Sequence, residues 1–246
     1  MISRPGGRPR TGGPPHSGSP IMCGLFRSCR FPDKVDSTQE SDVHGNTILL
    51  FKKYAQPYFQ PHARVVEVGP DGPPSTLQQT VGDNSIRWES VGIDDDSSAP
   101  MVTYTALSEY VYPIESSTVD IVVAANVMEH IRKPWVWIKE LARICKSGGY
   151  VITINPVSWP YHEYPVDCWR AYPDGMEALY QDAQLEVVLS RCESLEDAHL
   201  RRHIPGRSLG SIYAEDGWKT RAFTKVMEML RLPVERPYDT VTIGRK

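Results

Sequence analysis

Apolar positions along this chain follow two spacings, one helical and one of short continuous runs. From 47 to 59 the residues Ile48, Leu49, Phe51, Tyr54, Ala55 and Tyr58 form a helical stripe, with Asn46 placed to cap it and Pro61 to close it. A buried strand is predicted over 64–68, followed by the glycine turn Gly69-Pro70-Asp71-Gly72-Pro73-Pro74. Pro73 or Pro74 suits the first position of a short helix through Thr76–Gln79, because the N–H that proline lacks has no helical partner there. Further strands are predicted over 88–93, 101–104, 119–125 and 150–154. The run 119–125 is almost wholly apolar, as strands covered on both faces are. Between the last two, Pro134 opens a helix whose buried face is Trp135, Ile138, Leu141, Ala142 and Cys145, with Gly148-Gly149 as its stop. A helix over 175–181 capped by Asp174 and a strand over 185–189 come next. Residues 193–236 read as a helical insertion with Phe223, Val226, Met227 and Leu230 on one stripe, and 238–244 alternates as a final strand. Repeated strand–helix units predict an α/β fold, a parallel sheet with helices on both faces.

Composition narrows this picture without changing it. Residues 1–43 are a disordered or irregular extension, dominated at the start by Pro, Gly, Ser and Arg, and 44–246 form the folded domain. The tail lacks the apolar segment of a secretory signal. Net charge is −3, which predicts neither a nucleic-acid nor a membrane surface, and no apolar run reaches the roughly 20 residues of a bilayer span. The five cysteines are scattered without a CxxC pair, so reduced thiols and a cytoplasmic location are expected. His162, Glu163 and Asp167 lack a metal-ligand spacing, and no metal is expected.

The candidate chemistry lies where strands end. A glycine turn at the carboxyl end of a central strand is where open α/β sheets bind nucleotide-like ligands, and glycine lets the ligand approach the backbone. Such a turn also joins strands in proteins that bind nothing. An acid about 20 residues later, past the second strand, is placed to accept the two hydroxyls of a ribose; here that acid is Asp94. Residues 155–172 form a long loop rich in Trp, Tyr and Pro, and loops of more than about 12–15 residues in compact domains are usually functional.

The run Val119-Asp120-Ile121-Val122-Val123-Ala124-Ala125-Asn126-Val127-Met128-Glu129-His130-Ile131, continued by Pro134-Trp135, Glu140-Leu141-Ala142-Arg143 and Lys146-Ser147-Gly148-Gly149, resembles the class I S-adenosylmethionine-dependent methyltransferases of the small-molecule, type 11 kind. It is similar to that family's fourth strand, its Leu-Glu-His loop and its Lys-Pro-Gly-Gly turn, with Ser147 in place of the proline. Pro165, Asp167, Trp169 and Arg170 also resemble a block found after the family's fifth strand. The resemblance covers about 45–192 and the final strand. It implies a Rossmann-like sheet of seven strands in the order 3-2-1-4-5-7-6, the seventh antiparallel, with S-adenosylmethionine across the ends of strands one, two and four. The implied cofactor contacts are Glu67, Val68, Gly69, Pro70, Asp71 and Gly72 at the turn, Asp94 at the ribose, Ser108 near the adenine and Asn126 at the methionine moiety. Two departures stand out: Asp71 and Pro73 occupy the second and third glycine positions of the family's turn, and Ser108 replaces an acid.

The implied reaction is methyl transfer to a small-molecule acceptor by in-line displacement, giving S-adenosylhomocysteine. Alignment of the reactants supplies much of the rate, and a base is needed only where the acceptor must lose a proton early. His162 is the first candidate base and His130 the second; each has a plain alternative in packing or in ordering its loop. Trp159, Tyr161, Asp167, Trp169, Arg170 and Tyr172 are the candidate acceptor pocket, with sheet-end packing as the alternative for the aromatics. Asp167 is placed either to orient a histidine or to pair with Arg170. Asn155-Pro156 resembles the Asn-Pro-Pro-Tyr motif of amino methyltransferases but follows the fifth strand rather than the fourth. A catalytically inactive binding or regulatory protein of the same fold remains an alternative, and a nicotinamide-dependent oxidoreductase is a further one that lacks the GxGxxG fingerprint. A homodimer is compatible with the sequence.

Overall fold

The computed structural model describes residues 45–93, 102–159, 161, 166–197, 201–203, 211–213 and 218–246. Its centre is a seven-stranded sheet made of β1 (Arg64–Val68), β2 (Arg87–Gly92), β3 (Tyr104–Thr105), β4 (Val119–Ala125), β5 (Cys145–Pro156), β6 (Glu186–Glu193) and β9 (Asp239–Arg245). The spatial order is β3-β2-β1-β4-β5-β9-β6. Strands β7 (Arg201–His203) and β8 (Ser211–Tyr213) form a separate hairpin, so β9 is the seventh strand of the main sheet and the order is the expected 3-2-1-4-5-7-6. Strands β1 to β5 pair in parallel, and β9 runs antiparallel to both β5 and β6.

Helices cover both faces because adjacent residues of each central strand point to opposite sides. On one face Val66, Val68, Val122 and Ala124 join Trp137, Ile138 and Leu141 of α3 (Pro134–Ile144) and Met176 and Tyr180 of α4 (Pro173–Asp182). On the other, Val65, Ile121, Val123, Ile152, Val241 and Ile243 meet Leu50 of α1 (Gly45–Leu50), Phe51 and Ala55 just beyond it, and Leu77 of α2 (Thr76–Val81). Each fully buried side chain of this kind contributes about 1.5–3 kcal/mol. This core fixes the strand ends where the loops gather.

Several local expectations are corrected. Asn46 is inside α1, buried, and bonded to distant strands instead of capping its own helix. Past Leu50 the expected single helix continues as a π-helical turn, Phe51–Ala55, and a 3-10 turn, Gln56–Tyr58. Neither Pro73 nor Pro74 starts α2; Ser75 caps it by accepting from Gln78 N. On α3 it is Trp137 that is buried, while Trp135 is exposed and meets Trp169 edge-on at 5.9 Å. That helix ends at Ile144, ahead of the glycines, because Cys145 already pairs with Val119 as the first residue of β5. Gly148 and Gly149 lie in an irregular stretch of β5 that bonds Lys246.

Tyr172, not Asp174, occupies the cap position of α4. The second strand begins and ends one residue earlier than expected, the third is only Tyr104–Thr105, and β6 runs on to Glu193. The 193–236 segment contains the β7–β8 hairpin as well as α5 (Trp218–Met229). Along the stripe, Phe223, Val226 and Leu230 are exposed, and Thr224 is the buried residue of α5.

Candidate active site

Glu67 is the last charged residue of β1 and is 3% exposed. Its Oε2 accepts from the hydroxyl of Ser75 and from Trp88 Nε1 at 2.8 Å. Burial outweighs these two donors and pushes the carboxyl up to about 7. Trp88 is held flat against Phe59, ring centres 5.5 Å apart. Two residues on from Glu67, Gly69 turns the chain at φ +66°, donating its N–H to Val91 O at 2.9 Å. A Cβ there would lie 2.8 Å from Val127 Cγ2, so glycine is required both by the backbone and by the close approach of the β4 loop.

Beside this turn is a cleft of about 130 Å³ lined by Glu67, Pro70, Gly72, Pro73, Ser75, Gln78, Trp88, Ser90 and Thr103. Val68 points into the core and offers only its backbone. Asp71 turns away from the cleft: its Oδ1 accepts from Thr76 N at 2.8 Å and its Oδ2 from the Thr76 hydroxyl. The acid in the second glycine position thus serves as an extra cap for α2. A larger concavity, about 400 Å³, lies at the opposite edge near the start of β5, lined by Lys139, Arg143, Asp182 and Lys246 among others. Its cations are engaged, Lys139 with Asp182, Arg143 with Glu140, and Lys246 with Cys145 O, so its size does not make it the reactive end.

Asn126 ends β4 in the left-handed region at φ 56°, which asparagine tolerates better than most residues. Its Oδ1 accepts from Thr47 Oγ1 at 2.9 Å, while its Nδ2 is buried without a hydrogen-bond partner among the described residues. Ser108, by contrast, accepts from Tyr110 N in a tight turn and does not line the cleft. Asp94 and His162 lie outside the described residues.

The acceptor-side expectations resolve into a packed loop. His130 Nδ1 donates to Val166 O at 2.5 Å, tying the β4 loop to the segment after β5. Cys168 N, from the same segment, donates to Glu129 O at 2.6 Å. Asp167 pairs with Arg170 through two bonds, Nη1–Oδ1 at 2.5 Å and Nη2–Oδ2 at 2.6 Å, the second of its two expected roles. Trp169 Nε1 donates to Ile131 O at 2.9 Å, and Arg170 Nε reaches Trp159 O at 3.4 Å. Tyr161 and Tyr172 are exposed.

Sequence reading assigns no role to Ser75, Trp88 or Glu129. Trp88 lies two positions from Ser90, the register partner of Glu67, so strand alternation is the signal that could have found it. Glu129 is fully buried with neither oxygen hydrogen-bonded among the described residues, and burial pushes it up to about 8. Nothing in the sequence marks it apart from its place in the matched loop. Among the described residues no cluster of His, Cys, Asp and Glu is arranged to hold a metal ion, and no helix is long and apolar enough to cross a membrane.

Comparison with known proteins agrees with this architecture. A solved S-adenosylmethionine-dependent methyltransferase of Archaeoglobus fulgidus superposes with a TM-score of 0.52 at 17% identity, over 81% of this chain and 93% of that one. The chain therefore has the Rossmann-like class I methyltransferase fold. Residues 90–153 match the family described as a methyltransferase domain, the stretch running from β2 through β5. A curated protein of Mycobacteroides abscessus, described as an uncharacterized methyltransferase, is 36% identical over 61 residues, which span 25% of this chain and 22% of that protein.

Proposed function

We propose that the protein transfers a methyl group from S-adenosylmethionine to a small-molecule acceptor, leaving S-adenosylhomocysteine. The observation that carries this is the turn at the end of β1: a buried acid, a glycine that cannot bear a side chain, and a cleft alongside. Glu67 and the backbone of Gly69–Gly72 would hold the methionine end with Asn126, and Asp94 the ribose. The polar atoms available fit such a ligand: Asn126 Nδ2 lacks an acceptor among the described residues, and Asp71 has withdrawn from the cleft. When bound, S-adenosylmethionine supplies an electrophilic methyl group on a positively charged sulfur.

The chain's own contribution is orientation and exclusion of water. Trp88 and Ser75 fix the Glu67 carboxyl, and the β4 loop is locked to the 166–170 segment through His130 and Glu129. That role makes His130 a positioning residue and leaves His162 as the candidate base. The acceptor would enter past Trp159, Tyr161, Trp169 and Tyr172, with Asp167 and Arg170 holding that wall together.

Calorimetric titration with S-adenosylmethionine and S-adenosylhomocysteine tests the reading. Binding in the micromolar range is expected, weakened roughly 10- to 100-fold by Asp94→Ala, in line with a charged hydrogen bond of about 1.5–3 kcal/mol. A folded protein that binds neither ligand would instead be a scaffold of the same fold.

A further inference from the structure

We propose that the acceptor binds as a cation, its protonated nitrogen held against Glu129 and Asp239 where β4 and β5 end and β9 begins; this rests on the methyl-transfer reading above. The antiparallel entry of β9 brings Asp239 opposite Pro156 and Thr240 opposite Asn155, at the same end of the sheet as the β4 loop. Both oxygens of fully buried Glu129 have no hydrogen-bond partner among the described residues; Asn155 Oδ1 and Thr240 Oγ1 are also buried without one, on the face of the sheet that Asn155 shares with Met176. Buried polar groups are nearly always satisfied, so the two Glu129 oxygens mark a place where a ligand's donors complete the bonding.

The charge of that ligand follows from the groups facing Glu129. Arg170 is the strongest charged neighbour acting on it and also grips Asp167 with two bonds, while Asp167 and Asp239 act on it as negative neighbours. His130 Nε2 stands 3.9 Å from Glu129 Oε1, beyond hydrogen-bond distance, while its other ring nitrogen holds Val166 O. The Asp239 carboxylate takes its hydrogen bonds from neutral groups among the described residues, Asn46 Nδ2 at 2.7 Å and the Thr47 hydroxyl at 3.5 Å, and Glu196 adds negative charge. An anionic acceptor would meet like charge at Asp239, and a neutral hydroxyl would bring no charge to offset it. An ammonium supplies both the donors and the charge.

Burial pushes Glu129 up to about 8, so near neutrality it carries a proton in the ligand-free protein. An arriving ammonium favours the carboxylate and displaces that proton to solvent. The balance is one protonated carboxyl and one ammonium in, one carboxylate–ammonium pair and one free proton out.

The test is isothermal titration of the full chain near pH 7 with 2-phenylethylamine and with its neutral counterpart 2-phenylethanol, in two buffers of different ionisation enthalpy. The amine is expected to bind at least about tenfold more tightly and to release about one proton, as the linkage between proton and ligand requires. Glu129→Gln is expected to keep its circular dichroism while losing both the preference and the release, which a merely structural glutamate would not do. Equal binding of amine and alcohol, amine binding without a Glu129-dependent proton release, or no amine binding overturns the proposal. S-adenosylhomocysteine titrated into the same sample keeps the two readings separate. Its binding without an amine preference overturns this inference alone; an amine preference without its binding overturns the methyl-transfer reading.

Discussion

Glu129, Glu67 and Asp239 are carboxyls raised by burial, to about 8, about 7 and about 6 respectively. For each, the folded chain holds its proton to a higher pH than the unfolded chain does. The stabilising contribution is therefore complete below about pH 4 and is lost as pH climbs through the folded value. Glu129 alone titrates at the top of this window. Glu129→Gln is expected to match the parent in thermal melts near pH 4 and to exceed it near pH 9, by at most on the order of 5 kcal/mol, since a tenfold change in proton affinity is worth about 1.4 kcal/mol. A difference that stays constant across that range would mean the carboxyl is not raised. The slope that remains in the variant, between about pH 4 and 7, belongs to Glu67 and Asp239.

At the scale of elements, α2 shows how a short helix is held at a turn full of prolines. Six residues cannot sustain a helix by propensity alone, so its start is secured by two side chains, Ser75 onto Gln78 N and Asp71 onto Thr76 N. Ser75 also donates to Glu67, which couples the helix to the ligand end of β1. Ser75→Ala is expected to lower stability in urea by about 1–2 kcal/mol, the usual cost of a lost cap plus a lost buried hydrogen bond. It should also raise the Glu67 carboxyl further, because one of its two donors is gone; carbon-detected NMR titration of that carboxyl checks this. An unchanged titration would show that Trp88 alone holds Glu67.

Across the whole molecule, α1 acts as a clamp on strand ends that lie far apart in sequence. Asn46 Nδ2 donates to Glu193 O at 3.1 Å and to Asp239 Oδ2 at 2.7 Å, and its Oδ1 accepts from Leu195 N at 2.7 Å. Thr47 reaches Asn126 at the end of β4. One turn of helix thus joins the ends of β4, β6 and β9. Asn46→Ala removes three buried hydrogen bonds and is expected to cost about 2–4 kcal/mol, a fall in Tm of roughly 5–15 °C by calorimetry. A loss below about 1 kcal/mol would mean that water replaces the side chain without strain.

The central strands and the two long helices were legible in the sequence because their signals are local. Five consecutive positions decide β1, seven decide β4, and Pro134 marks the start of α3 within the helix itself. The glycine turn was legible from its place after an apolar run, and the sheet order through a resemblance carried mainly by one stretch of residues. What the sequence left open depends on pairs far apart in the chain. Asn46 has the local look of a helix cap, a short polar residue before an apolar stripe, whereas its partners are about 150–190 positions away. Asp71 reads as an intrusion at the cofactor turn until the path of the chain aims it at Thr76. Glu129 carries no local mark beyond its place in the matched loop, since its burial, with no partner for its oxygens among the described residues, arises only when the 166–170 segment bonds to the β4 loop. The sequence by itself determined which stretches become strands and helices, because backbone propensity and apolar spacing act over a few residues. Only the tertiary structure decided which polar side chains lose water and which partners they then lack.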